Sequence, residues 1–309
     1  MIARRLALAL LVAGAGVAHA QSAVTTELAH THDADGFADT RVVAGYLPVY
    51  RTPQDFWGIS AGNDHYTQGG WSRDGQRLLG RVRQLDLQTG AGLAIDAGAA
   101  HAAGRTTFVA DATWSVRLAP RTGIELIGAR DWVDTQLGID DGITYDFVAA
   151  SIEQGIGDRF NVIGLAGHQR FSDGNARNHL RARLIYTVLP DYGISVQLRH
   201  RRFNADDTSV PRRYFNPGRY EETQAVLALR RRLASWPGWI VNGHLGGGRE
   251  TIDRTERKPT TTAELRLDGP LDNGWRLDLH AQYLRSAGGV EGIDYWYTLV
   301  GARLIVPLK

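Results

Sequence analysis

Turn signals recur along almost the whole chain in two alternating classes, and the stretches between them are about as long as a β-strand that crosses a bilayer. One class is tight and rich in Pro, Gly and Asp, at residues 51–54, 86–90, 119–123, 156–159, 189–192, 234–238 and 268–274. The other is more polar and on average longer, at residues 32–36, 67–75, 135–142, 172–176, 205–219, 250–258 and 286–292. Short turns on one rim and longer loops on the other, around spans of about 9 to 11 residues, describe a transmembrane β-barrel of the outer-membrane type. Counting segments predicts an all-β, antiparallel, up-and-down barrel of roughly 16 strands, with about 14 as the alternative. An even number returns both ends of the barrel to one side, and the segment at 295–306 is expected to close it against 24–31.

Residues 1–20 carry Arg4 and Arg5, an apolar run over 6–17, and Ala18-His19-Ala20 before Gln21. This is the pattern of a secretory signal peptide cleaved after Ala20, which leaves 21–309 as a single barrel. The apolar run is too short for a spanning helix, and no later stretch reaches the roughly 18 apolar residues that one requires. With no cysteine in the chain, disulfides and thiolate metal sites are excluded. A formal charge of +2 is close to balance, so no nucleic-acid partner is expected. These features predict a protein of the Gram-negative outer membrane, a monomer in contact with lipid and lipopolysaccharide, and no cofactor.

Alternation with a period of two is clearest in the second half. Leu180, Ala182, Leu184, Tyr186 and Val188 share a face opposite His179, Arg181 and Arg183, and Ile194, Val196 and Leu198 oppose Ser195, Gln197, Arg199 and Arg201. Ala225, Leu227 and Leu229 oppose Glu222, Gln224, Arg230 and Arg232, and Leu277, Leu279, Ala281 and Tyr283 oppose Arg276, Asp278, His280 and Gln282. Soluble sandwiches show the same period. The leader, the even turn rhythm and aromatic residues near strand ends favour the barrel: Trp57, Trp114, Trp132, Trp236, Trp239, Trp275, Trp296, Tyr192, Tyr220 and Tyr283 suit a bilayer interface.

If the apolar faces meet lipid, the others line the lumen. The first half then contributes Asp64, Asp96, Asp111 and Glu125. The second contributes Arg170, Arg181, Arg183, Arg199, Arg201, Arg230, Arg232, Arg266 and Arg276, opposed by Glu222, Glu264 and Asp278. An acidic wall is thus expected to face a basic one, a transverse field that orients dipolar or hydroxyl-rich solutes. No long third extracellular loop that could fold inward as a constriction is evident, so a plug would consist of side chains or of another protein.

The segment Tyr214-Phe215-Asn216-Pro217-Gly218-Arg219-Tyr220 leads into a strand at 221–233. It resembles the aromatic-Asn/Ser-Pro-x-x-Tyr signature in the barrel domains of bacterial exopolysaccharide-export outer-membrane proteins, the cellulose and poly-N-acetylglucosamine export porins. The resemblance is best over about 168–306 and implies a barrel of about 16 strands through which a saccharide polymer leaves. In that family a periplasmic helical-repeat region precedes the barrel; none precedes it here, so the resemblance implies either that a separate helical-repeat protein supplies it or that this barrel does something simpler. Pro217 would fix the loop as it enters the strand, with Tyr214, Phe215 and Tyr220 packing it against the rim.

Chemistry is sparse. His168, Ser172 and Asp173, or Asp131 and Asp134, are the available hydrolase-like groups, and their spacing matches no barrel enzyme, so a non-enzyme is expected. His30, His32, Asp33 and Asp35 are candidate cation ligands in the first loop. Asp140, Asp141, Asp206 and Asp207 are candidates for bridging lipopolysaccharide through divalent cations, and Arg212, Arg213, Arg254, Arg257 and Lys258 for touching its phosphates. The leading expectation is a passage for exopolysaccharide or saccharide; the alternatives are a general diffusion porin and a non-conducting structural or adhesion barrel.

Overall fold

The computed structural model describes residues 21–208, 213–254, 257–286 and 294–308; residues 1–20, where a signal peptide is expected, lie outside them. Sixteen strands run β1 Gln21–Asp33, β2 Phe37–Thr52, β3 Asp55–Gln68, β4 Trp71–Leu85, β5 Gly92–Ala102, β6 Arg105–Ala119, β7 Thr122–Trp132, β8 Thr144–Ile156, β9 Phe160–Phe171, β10 Ala176–Leu189, β11 Ile194–Ala205, β12 Arg219–Arg232, β13 Ile240–Ile252, β14 Lys258–Pro270, β15 Arg276–Ser286 and β16 Tyr295–Pro307. Each pairs antiparallel with its sequence neighbours, and β1 closes the barrel against β16, with Val24 opposite Val306 and Thr31 opposite Leu299. Closure removes every sheet edge, the condition for strands to stand in lipid. Both ends share what we call the terminal rim; the opposite one is the loop rim.

The count is sixteen because the sequence conceals one turn. Ala103 and Gly104 join β5 to β6 with φ of 49° and 74°, a two-residue hairpin with both central residues left-handed. A lone glycine after an alanine gives little warning of it. The stretch at 67–75 is likewise a tight Gly69-Gly70 turn, not a loop, since β3 reaches Gln68 and β4 begins at Trp71. Strands of 11 residues in β5 to 16 in β2 exceed what a bilayer needs, so parts of the wall project beyond it.

Alternation places large apolar side chains outside: Leu28, Val42, Ile59, Leu78, Phe108, Val148, Leu227, Leu245 and Val300 are all exposed on the outer surface. Small and polar residues occupy the inner face, and some are small because strands approach closely. A Cβ added to Gly98 would lie 1.9 Å from the Leu78 carbonyl oxygen. The two ends of the outer surface differ. Trp57, Trp114, Phe160, Tyr186, Tyr192, Trp236 and Trp275 are exposed toward the terminal rim. Toward the loop rim stand histidines, each bonded through Nδ1 to the residue directly across: His30 to Thr40 at 2.8 Å, His65 to Asp74 at 2.6 Å, and His101 to Thr106, His168 to Asn178 and His200 to Thr223 at 2.9 Å each. Trp132 and Tyr220, expected in the aromatic belt, are instead buried inside the loop rim.

Candidate lumenal site

Two adjacent rows of directly opposed residues organise the lumen. The first runs Arg117, Gly123, Glu153, Ile163, Arg183, Arg199, Gln224, Gly248, Thr260 and Ser286 across β6 to β15. The second runs Ser115, Glu125, Ser151, Leu165, Arg181, Arg201, Glu222 and Glu250 across β6 to β13. Barrel strands are tilted, so a row perpendicular to them climbs around the wall. Arg117 lies beside the turn of the terminal rim, whereas Ser286 is the last residue of β15 at the loop rim. The rows are a ramp across the full height of the wall. A cavity of about 580 Å³ follows it, lined by these residues from Ser115 and Arg117 to Glu222 and Gln224 and then by Thr262, Glu264 and Gln282.

The charge pattern differs between the halves. Asp64 is buried and clamped by Arg41 at 2.6 Å and Arg77 at 2.8 Å; Asp96 holds Arg83 at 2.8 Å and Arg81 at 3.2 Å. Arg81 also reaches Glu27, three strands away on β1, and Arg77 reaches Asp131 on β7 at 3.6 Å. The bare acidic wall expected from the sequence is therefore not formed here, because arginines of β2 and β4 neutralise it. Asp111 faces Asp96 across the β5–β6 pairing. Glu125 accepts from Ser115 Oγ at 3.2 Å.

In the second half, Arg201 pairs with Glu222 and donates to Tyr220 Oη at 3.0 Å. Arg199 donates to Gln197 Oε1 at 3.0 Å and lies 3.8 Å from Glu264. Arg266 and Arg303 converge on Asp278, and Arg276 pairs with Asp268. Arg230 and Arg232 share the lumenal face of Glu222 but stand beside the terminal rim. Arg170 is a correction: its neighbour Gln169 bonds the inward His179, so Arg170 itself points outward, in register with Asp146.

Two loops fold inward at the loop rim, contrary to expectation. Residues 133–143 contain the helix α1, Gln136–Asp141, which Thr135 opens by accepting the Gly138 amide at 3.0 Å and Gly142 ends with φ 71°. Ile139 enters the barrel and packs with Phe37, Tyr66, Ala100, Ala102, Val109 and Trp132. Asp140 and Asp141 are ties of this cap: Asp140 accepts from Trp71 Nε1 at 2.8 Å and pairs with Arg73 at 2.9 Å, while Asp141 pairs with Arg213 at 2.6 Å. Beneath it lies Asp134. Its side chain is exposed, yet desolvation by the enclosing wall, then Asp131 and Asp39, push its pKa up to about 7, with Arg41 and Arg77 opposing.

The second inward segment carries the Asn-Pro motif. Tyr214 stacks on Phe171 at 4.4 Å and donates to Asp173 at 3.0 Å, and burial with that carboxylate pushes its hydroxyl up to about 12 against the Asn175 amide. Asn216 accepts from Asn175 Nδ2 at 2.9 Å; Pro217 is buried; Phe215 meets Tyr220 edge-on at 6.0 Å. The motif residues thus come together, around a centre that the sequence did not reveal. Arg177 donates to the Phe215 carbonyl and lies over Phe171, Phe203 and Tyr214 at 4.7, 5.0 and 5.1 Å. The two loops interlock where Thr135 Oγ1 donates to the Arg213 carbonyl at 2.5 Å.

Other groupings do not converge. His168 faces outward to Asn178, while Ser172 accepts the Thr144 amide and Asp173 holds Tyr214, so these three form no relay. His30 bonds Thr40, His32 packs edge-on to Trp296, and Asp33 accepts the Phe37 amide; among the described residues no group of three or more side chains is arranged for a metal. Arg212 lies outside the described residues.

No protein-family model and no curated protein matches the chain. Among solved structures, one described as a bacterial polysaccharide outer membrane secretin superposes with a TM-score of 0.70 at 12% identity, over 94% of this chain and 99% of that one. The fold is that of an outer-membrane porin barrel. Pseudomonas aeruginosa OprD superposes more loosely, with a TM-score of 0.47 at 12% identity over 95% of this chain and 96% of that one.

Proposed function

We propose that this chain forms a water-filled passage for saccharides across the outer membrane of a Gram-negative bacterium, serving exopolysaccharide export beside a separate periplasmic helical-repeat protein. The observation that carries the proposal is the polar ramp, a continuous cavity that climbs from the terminal rim toward the loop rim. Its side chains offer many donors and acceptors at successive levels, the weak multi-site contact that lets a hydrated chain enter and leave. By the usual asymmetry of such barrels, the short turns of the terminal rim face the periplasm and the loops face outward. The passage acts without covalent chemistry and without a cofactor, and its outer surface is solvated by lipid and lipopolysaccharide.

The inward cap favours one second reading, a diffusion porin for small solutes, because α1 narrows the β2–β6 side of the loop rim. Planar-bilayer recording of the refolded barrel tests both. Discrete channels occluded by a saccharide polymer from the terminal side are expected; channels indifferent to polymer favour the porin, and a folded barrel that never conducts rejects both.

A further inference from the structure

On the ramp, Arg181 stands directly opposite Arg201 and Arg183 directly opposite Arg199, four guanidinium groups on neighbouring positions of β10 and β11. Like charges placed opposite each other across an antiparallel pair are unfavourable. Arg201 is relieved by Glu222 and Arg199 by Gln197 and the more distant Glu264. Arg181 and Arg183 have no hydrogen-bond or ion-pair partner among the described residues, although both line the cavity. On the β12 side the nearest acid of Arg181's row, Glu222, is taken by Arg201, and on the other side β9 holds off Glu153 and Glu125. Ile163 separates Glu153 from Arg183, and Ser151 and Leu165 separate Glu125 from Arg181. Two strand spacings put Glu153 and Arg183 roughly 10 Å apart at the backbone.

The wall thus presents, in order, carboxylates, a narrow apolar stripe and two unpaired guanidinium groups. We propose that this strip is a binding site for acidic saccharides, a reading that rests on the proposed saccharide passage and names the class of its cargo. A uronate residue fits each part. Its carboxylate meets Arg181 and Arg183 in charge-assisted hydrogen bonds, its ring C–H face lies over Ile163 and Leu165, and its hydroxyls donate to Glu125 and Glu153. The cavity lining contains no Phe, Tyr or Trp, so the flat aromatic platform that suits a neutral sugar ring is missing from this strip. A cationic amino sugar would gain at Glu125 and Glu153, but only by bringing its charge beside four arginines.

Channel block separates these classes, with hexagalacturonate, maltohexaose, a chitosan hexamer and free galacturonate as probes. Hexagalacturonate is expected to block at a concentration about tenfold or more below maltohexaose, and Arg181→Gln/Arg183→Gln to lose about tenfold of that advantage. Arg181→Lys/Arg183→Lys, which keeps the charge, should retain part of it, and Arg170→Gln on the outer face should retain all; gel mobility before and after heating confirms that each variant is folded. Equal block by all three oligomers, strongest block by the chitosan hexamer, or an unaffected double glutamine variant overturns the proposal. Block by free galacturonate matching hexagalacturonate per carboxylate assigns the strip to small acids instead of a polymer and overturns it as well. If the barrel does not conduct, fluorescent hexagalacturonate binding to the folded protein decides: binding lost in the double variant keeps the strip and rejects the passage, whereas no binding rejects the strip.

Discussion

At the scale of single residues, Asp134 is expected to couple the cap to pH. Its pKa, pushed up to about 7, lies above the ordinary carboxylate value of 3.8, so the capped state binds its proton more tightly than any state in which the loop swings into water. The sign follows from linkage. The proton's contribution to the capped state is fully present below the ordinary carboxylate range and is lost as pH rises through about 7, where a charged Asp134 meets Asp131 and Asp39. Channel noise from cap movement is therefore expected to increase between about pH 6 and about pH 8, and Asp134→Asn to flatten the profile at its quiet, low-pH level. A variant that keeps the wild-type profile would remove Asp134 from the cause. Single residues also show where sequence patterning fails. The outward direction of Arg170 is hidden because β9 is apolar on both faces, with Val162 and Ala166 on one and Ile163 and Leu165 on the other, so alternation does not reveal which face is inside.

At the scale of elements, the cap depends on a helix too short to stand alone. Six residues cannot offset the cost of nucleating a helix, so α1 is held by its Thr135 and Gly142 ends and by Ile139, Asp140 and Asp141 reaching the wall and the neighbouring loop. Thr135→Ala removes the hydrogen bond to the Gly138 amide and the tie to Arg213, a loss of about 1 kcal/mol for the helix end. The expected result is a noisier channel with larger mean conductance and unchanged heat-modifiable folding. Unaltered recordings would mean that the two loops move independently. The end signals of this helix were present in the sequence, but with only Leu137 and Ile139 as large apolar residues it carries no 3.6-residue period to announce it. By contrast, β10, β11, β12 and β15 were legible in which face is outside, because a single apolar face on each strand leaves no second choice.

At the scale of the whole molecule, closure is the condition on which everything else rests. Without the β1–β16 seam, two strand edges would carry unpaired amides and carbonyls into hydrocarbon, each costing several kcal/mol. Because the chain contains no cysteine, Thr31→Cys with Leu299→Cys tests the seam without background. A disulfide spanning nearly the whole chain should form on oxidation and shift the gel mobility of the unfolded protein; none forming under conditions that preserve the barrel would contradict the register. The seam was legible from the count and parity of the segments, whereas the ramp was not, since it depends on how far each strand slips against the next. That slip has a mechanical result. On the proposed saccharide passage, binding levels that climb around the wall would make the ramp a threaded bore, so a chain passing from level to level would turn about the barrel axis as it advances. Torsional stiffness and intrinsic twist, properties of the cargo that no single contact measures, would then set the speed of passage.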